Sequence, residues 1–386
     1  MKKIFNGGAS APFFMDKYLN QIAVQKIAAG TLFQIIESEK IPHAFLFRGP
    51  DGLGKEYVAI QFAKELAAKY ASNEKKEDII SNLNKLNEPY LKYIFPLPRG
   101  KNETDASGPF EKLSQDELEV IQEELKKKIL NPFHKIRLLR AKNIKISSIR
   151  DIIKFLAVSF DDITYRVILI SDAHLMNEES QNALLKNLEE PPKGVIFILC
   201  TAYPERLRET IRSRCWSINF APLTDEEVIY ILSDYYGIER TLSKKVAPFA
   251  SGSVSSALEF IENDFDELRE KTIRILRYSL GKRFHSALSE FSDITDNQDK
   301  VQLRLIIKMI ITWLNDIHRF KNNLGNYFFN DHLETLQKFT TKFPDIELNE
   351  ITHKIDTIDN SLKNNFNLNI AVGNIVAELS SIIPQK

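Results

Sequence analysis

An α/β fold with a parallel five-stranded sheet, followed by a region built of helices alone, is predicted by three observations. A short apolar strand, a glycine-rich loop and a helix follow one another directly across residues 43–70. Apolar, strand-like runs then alternate with helical patterns from about residue 149 to residue 220, the order that gives a parallel sheet covered on both faces. Beyond Pro222 no strand pattern recurs.

The elements read in order as follows. Residues 20–38 carry Ile22, Val24, Ile27, Leu32, Ile35 and Ile36 at helical spacing. His43-Ala44-Phe45-Leu46-Phe47 reads as a buried strand, and Tyr57–Tyr70 as an amphipathic helix. Residues 71–115 turn rich in Asn, Lys, Glu, Pro and Gly, and read as a partly helical insertion in which Pro96–Asn102 forms an exposed loop. Ser114 with Glu117 three residues on marks a helix start that should run to about Leu130, with Lys126-Lys127-Lys128 at a solvated end. Ile149–Leu156 is helical, Arg166–Ile170 a strand, Glu178–Leu188 helical, Val195–Leu199 a strand and Trp216–Phe220 another. Residues 224–263 suggest three short helices, and 266–386 a longer helical domain. Its stripe of Leu303, Ile306, Ile307, Ile310, Ile311 and Leu314 is too wide for a solvent-exposed helix.

Composition narrows the class. A chain of 386 residues with 43% hydrophobic residues suffices for two or three domains. Lys plus Arg and Asp plus Glu balance at 52 each, so overall charge offers no argument for nucleic acid. Cys200 and Cys215 read as buried thiols; two cysteines exclude a four-cysteine zinc site from this chain alone. Met1-Lys2-Lys3 is followed by Asn6-Gly7-Gly8-Ala9-Ser10 instead of the apolar run of a signal peptide, and no stretch is long and apolar enough for a membrane span, so a cytoplasmic protein is expected.

The chemistry sits in the glycine loop. Gly49-Pro50-Asp51-Gly52-Leu53-Gly54-Lys55 fits G-x-x-x-x-G-K, a loop whose backbone N–H groups converge on phosphate oxygens while Lys55 adds a point charge. The next position should be a Ser or Thr that ligates Mg²⁺, and it is Glu56. Two like charges ~4 Å apart repel by roughly 4 kcal/mol at an effective dielectric near 20, so Glu56 disfavours a triphosphate. The strand Val167–Ile170 leads into Ser171-Asp172-Ala173-His174, where an active ATPase places one acid for the metal and one for the attacking water. If Asp172 takes the metal position, Ala173 leaves the base position empty; if it takes the base position, the metal position is Ser171. His174 reads as a structural side chain.

Asn182-Ala183-Leu184-Leu185-Lys186-Asn187-Leu188-Glu189-Glu190-Pro191-Pro192 and Ser213-Arg214-Cys215 resemble the signatures of bacterial clamp-loader ATPases of the AAA+ class, and within them the delta-prime type of DNA polymerase III. The likeness covers about residues 20–260 and weakens beyond, where Asn365–Leu379 is similar to the family's last helix. It implies an AAA+ core over 1–222, a three-helix lid over 223–264 and a helical collar over 265–386. It also implies a register in which Ser171 replaces the metal acid and Asp172 the catalytic Glu. Thr201 falls at the position that contacts the γ-phosphate in active relatives; without nucleotide it reads as a cap of the following helix. Ser255 falls where active subunits carry a second sensing arginine. Arg214 then matches an arginine finger that reaches the ATP site of the next subunit, an effect of about 10³–10⁵ in rate. A structural ion pair is the plainer reading of Arg214, and Arg212 stands beside it. The zinc module that many relatives carry between the first helix and second strand has no cysteines here.

What the resemblance implies is a stator without intrinsic ATPase activity, with no bound cofactor or zinc expected and ATP binding disfavoured. Its implied partners are tau/gamma-type and delta-type subunits in a ring of five held through the collars, with the sliding clamp and primer–template DNA beyond them. The rivals are an active tau/gamma-type ATPase and an AAA+ adaptor outside replication.

Overall fold

In the computed structural model, the described residues are 18–104, 107–157, 164–343, 348–362 and 367–382. Met1–Ser10 and Asn365, read above, lie outside them. The chain divides into two compact units, one of residues up to Ser243 with Gly252–Ser255, the other of Lys244–Ser251 with Ser256 onward.

The first unit is built from α1 (Lys26–Glu37), β1 (Ala44–Arg48), α2 (Lys55–Tyr70), α3 (Asn73–Asn84), β2 (Leu91–Ile94), α4 (Gln115–Leu130), α5 (Ile146–Ala157), β3 (Arg166–Ile170), α6 (Glu178–Glu189), β4 (Val195–Thr201), α7 (Glu209–Arg212), β5 (Trp216–Asn219) and α8 (Asp225–Tyr236), and α9 (Arg240–Val246) runs across the unit division. All strand pairings are parallel, in the order β2-β3-β4-β1-β5. Both β3 and β4 are buried at every position, which is why they read as unbroken apolar runs. Side chains alternate across the sheet. Phe45 meets Phe62 of α2 on one face with ring centroids 5.2 Å apart. Leu46, Ile168 and Phe197 pack on the other with Ile149 and Ile152 of α5 and Leu184 and Leu188 of α6.

Two expectations are corrected. Residues 71–115 are no mere insertion, because they supply α3 and the edge strand β2, the one sheet member that the sequence left unplaced. Nor is Pro96–Asn102 exposed throughout: Pro96, Leu97 and Pro98 are buried. Phe95 and Leu97 form a small separate core with Leu113, Ile121 of α4 and Ile136. Prolines serve here because a chain leaving the sheet edge needs no ladder N–H. Helix α4 starts on the expected reciprocal cap between Ser114 and Glu117. Helix α1 starts later than expected, after Gln25, whose backbone is left-handed (φ 54°).

Helix α10 (Val254–Glu262) runs across the unit division. The second unit goes on with α11 (Phe265–Leu280), α12 (Phe284–Ser289), α13 (Ser292–Asp296), α14 (Lys300–Lys321), α15 (Leu333–Lys342), α16 (Asn349–Leu362) and α17 (Leu368–Ser381). No strand occurs among its described residues. Helix α14 is its centre, with Leu303, Ile306, Ile307, Ile310 and Leu314 buried as the stripe predicted and Ile311 half-buried, packed against α11, α15 and α16. Asp316 of the same helix is fully buried and accepts the backbone N–H groups of Phe328 (3.0 Å) and Phe329 (2.8 Å). Burial pushes its carboxyl above the usual range, against the pull of those two donors. Asp316→Ala would leave two inward N–H groups unpaired, so a loss of about 2–4 kcal/mol is expected. Urea unfolding followed by the fluorescence of the neighbouring, buried Trp313 checks it.

Candidate functional site

The carboxyl ends of β1, β3 and β4 come together at one edge of the sheet, where ligands of such folds bind. The glycine loop leaves β1 and enters α2, Ser171 and Asp172 follow β3, and Thr201 ends β4. Backbone shape explains the glycines. Gly52 and Gly54 have φ of 74° and 79°, and a Cβ on Gly52 would lie 2.4 Å from the backbone nitrogen of Ser255.

The loop's charges are all satisfied from within the chain. Lys55 Nζ donates to the carbonyls of Gly49 (2.7 Å) and Pro50 (2.5 Å), and burial lowers its pKa despite the nearby Asp51 carboxylate. Glu56 does not confront a phosphate with an unmatched charge, as the sequence suggested. It pairs with Lys128 Nζ at 2.5 Å, accepts the Tyr93 hydroxyl at 2.8 Å and accepts the Ser171 hydroxyl as well. Burial alone would raise the Glu56 carboxyl, but Lys128 and the hydroxyls of Ser171 and Tyr93 bring it down to about 2. So Lys128 is not at a solvated helix end: it is buried, and it also donates to the carbonyls of Pro132 (2.9 Å) and His134 (2.7 Å).

Asp172 meets a second internal cation. Lys135 Nζ stands 3.0 Å from Asp172 and 3.0 Å from Asp51. Burial works against the Lys135 ammonium, but the two carboxylates outweigh it and raise its pKa. Asp51 is lowered, burial notwithstanding, chiefly by Lys135 and Lys55. Phe133 lies over the loop, 3.0 Å from where a Cβ on Gly54 would stand, with its ring stacked on Tyr57 (4.4 Å) and edge-on to Tyr235 (4.7 Å). Ser255 comes to the loop too: Val254 N–H donates to the Gly52 carbonyl (3.0 Å) and the Ser253 hydroxyl to that of Asp51 (2.8 Å). What is left between Asp51, Lys135, Asp172 and Ser255 is a cavity of about 40 Å³. A water needs roughly 10–15 Å³ on that measure, so the space between these side chains holds a few waters.

Thr201 is fully buried; its hydroxyl accepts the Tyr203 N–H (3.0 Å) and lies 3.1 Å from His174 Nδ1. It caps the turn at Tyr203. His174 packs its ring edge-on to Tyr203 (5.0 Å), and burial keeps it below the usual histidine pKa. Arg214 follows α7. Its guanidinium donates to the Thr210 carbonyl (2.8 Å) and pairs with Glu189 at 2.7 Å, and its side chain stays 35% exposed. Arg212 is exposed, and Cys200 and Cys215 are buried thiols, with burial raising Cys215 to about 12.

The sequence reading missed Tyr93, Lys128, Phe133 and Lys135. For Lys128 a signal existed: Ile121, Glu124 and Lys128 lie three and four residues apart on one helix face, and Ile121 marks it as buried.

A family model described as DNA polymerase III, delta subunit matches residues 24–224, more than half of the chain. The chain belongs to that family. This is the clamp-loader AAA+ family whose likeness was read from Asn182–Pro192 and Ser213–Cys215. Subunit tau of DNA polymerase III from Bacillus subtilis (strain 168) is 26% identical over 254 residues, 64% of this chain and 38% of tau. Subunit delta' of the same organism is 27% identical over 261 residues, 66% of this chain and 65% of that one. Subunit delta' of Escherichia coli (strain K12) is 35% identical over 115 residues, 30% of this chain and 34% of that one. The chain therefore spans between about a third and two thirds of the length of these relatives. A solved gamma subunit-related protein of DNA polymerase III from Thermotoga maritima aligns over 91% of this chain and 98% of its own, at 16% identity and a TM-score of 0.40. No described helix is long and apolar enough to cross a membrane.

Two outcomes are expected from the Glu56–Lys128 pair. Lys128→Met strands a buried carboxylate and should cost about 3–5 kcal/mol in urea unfolding, most of it recovered when Glu56→Met is added. The pH dependence has a definite sign. The Glu56 carboxyl titrates near 2 in the fold against an ordinary 4.5, so the unfolded chain binds the extra proton between those values. Its contribution is whole above pH 4.5 and is lost as pH falls towards 2. Glu56→Gln should flatten the stability profile in that window, as pH-resolved urea midpoints would show.

Proposed function

We propose that this chain is a delta-prime-type, non-hydrolysing subunit of the DNA polymerase III clamp loader. In this reading it supports ATP-dependent loading of the sliding clamp onto primed DNA and lends Arg214 to the ATP site of a neighbouring subunit. The observation that carries the reading is the state of the glycine loop. Its lysine is bound to its own carbonyls, Glu56 in the place of the metal-ligating hydroxyl is paired with Lys128, and Asp172 in the place of the catalytic acid is paired with Lys135. Ser171 and Ser255 add no charge where metal and γ-phosphate would need one. Arg214, by contrast, is partly exposed and held by one hydrogen bond to the Thr210 carbonyl and by an ion pair between half-exposed groups, the latter an interaction of about 0–1 kcal/mol that a phosphate can outbid.

Membership of the family and the delta' and tau relatives support the partners: tau/gamma-type subunits that hydrolyse ATP, a delta-type subunit and, through them, the clamp and primer–template DNA. The core over 1–222, lid over 223–264 and collar over 265–386 belong to the same proposal, with no cofactor or zinc bound by this chain.

Reconstitution with a tau/gamma-type ATPase subunit is the test. The isolated chain should show no steady-state ATP turnover. The assembly should turn over ATP, and Arg214→Ala should remove the share of one site, about 10³-fold at that site, without disturbing assembly. Turnover by the isolated chain that Lys55→Ala abolishes would make it a tau/gamma-type ATPase instead. Undiminished turnover with Arg214→Ala would leave Arg214 as a structural pair to Glu189.

A further inference from the structure

Segment 131–135, between α4 and α5, touches several parts of the first unit at once. Asn131 Nδ2 donates to the Tyr235 carbonyl in the last turn of α8 (3.0 Å) and Asn131 Oδ1 accepts the Phe133 N–H (3.0 Å), which fixes the bend that aims the ring at the loop. Phe133 then joins Tyr57 of α2 and Tyr235 of α8 in one cluster of three rings, stacked on the first and edge-on to the second. His134 Nε2 lies 2.8 Å from Glu124 of α4, and Lys128 gathers the carbonyls of Pro132 and His134 beside its pair with Glu56. Lys135 closes the far end, between Asp51 of the loop and Asp172 after β3.

The space between a phosphate loop and the strand carrying the acids is where a terminal phosphate and its metal belong. Here it holds an ammonium group of the same chain. A nucleotide in such a site joins the loop to whatever helices pack over it, and segment 131–135 makes the same connection, from the loop and α2 through Phe133 and Asn131 to α8.

We propose that residues 131–135 are the intramolecular ligand of the nucleotide loop, and that they hold α8 to the loop permanently, in place of a nucleotide. The inference rests on the reading of the loop as non-hydrolysing, and adds what occupies it and what that occupant does. Its consequence is mechanical: the position of α8 becomes independent of nucleotide, as a fixed member of an assembly requires. The charges are chosen for it. Lys128 and Lys135 each bring a cation to a carboxylate that would otherwise call for a metal, while Phe133 supplies apolar area against two tyrosines.

Hydrogen exchange of the full chain, read by mass spectrometry on peptides from α8 and from β4, tests this. The Phe133→Ala/Lys135→Ala variant should exchange about tenfold faster in α8 while β4 keeps its protection, because a local tie is lost and the core is not. Lys135→Arg alone keeps both carboxylate pairs and should leave α8 as in the wild type. Mg-ATP at millimolar concentration should change nothing in the wild type. Unchanged α8 protection in the double variant, or equal acceleration in α8 and β4, would overturn the inference and leave the segment as ordinary packing. Protection of α8 by Mg-ATP in the wild type would overturn it too, because the loop would then admit a nucleotide, whereas ATP turnover by the isolated chain would defeat the non-hydrolysing reading beneath it, so the two failures are told apart.

Discussion

A carboxylate at position 56 needs a cation, and the rest of the site follows from where that cation comes from. In a loop of this kind the residue after the lysine is buried against the sheet, so Glu56 cannot be left to solvent. Lys128 meets it from α4, and to do so α4 must lie close to the loop and keep its last turns inward. That places the residues after α4 over the loop itself, with Pro132 and His134 presenting carbonyls to the same ammonium. Tyr93 of β2 and Ser171 after β3 complete the shell around the carboxylate. Tyr93 of the edge strand, Ser171 and Glu56 are thus one hydrogen-bonded arrangement.

The glycines of the loop persist within this arrangement for reasons of close approach. The chain at Ser253–Ser255 crosses Gly52 too tightly for any side chain, and Phe133 presses on Gly54. A loop built to receive phosphates suits this use because it offers backbone without bulk. Lys55 likewise stays useful by binding the carbonyls of Gly49 and Pro50, which stiffens the loop from inside. Retention of the G-x-x-x-x-G-K pattern is therefore compatible with loss of the activity that the pattern usually signals.

Much of the fold was legible because its central strands are buried on both faces and must be apolar throughout, as Val167–Ile170 and Val195–Leu199 are. The stripe of α14 was legible for the same reason in helical form. Strand β2 was not. It has four residues, includes Lys92, lies at the sheet edge and sits in a polar stretch, so neither periodicity nor hydropathy marks it. Pro96 and Pro98 looked like surface because prolines usually are, yet they are buried on either side of Leu97, a member of a local core. At the site, Glu56, Ser171, Asp172 and Ser255 could be singled out one by one from the loop and the family likeness. What answers them could not: Lys135 is brought to Asp51 and Asp172 by tertiary contacts across long sequence separation, for which a single sequence carries no pattern. Arg214 was legible as a residue of interest, but its tie to Glu189 became visible only with the structure.

The central claim is that this chain has filled its own nucleotide loop. Equilibrium titration of the isolated chain with Mg-ATP, followed by calorimetry, addresses it most directly. The account predicts no binding heat up to millimolar nucleotide. Saturable binding in the micromolar range that Lys55→Ala abolishes would contradict it.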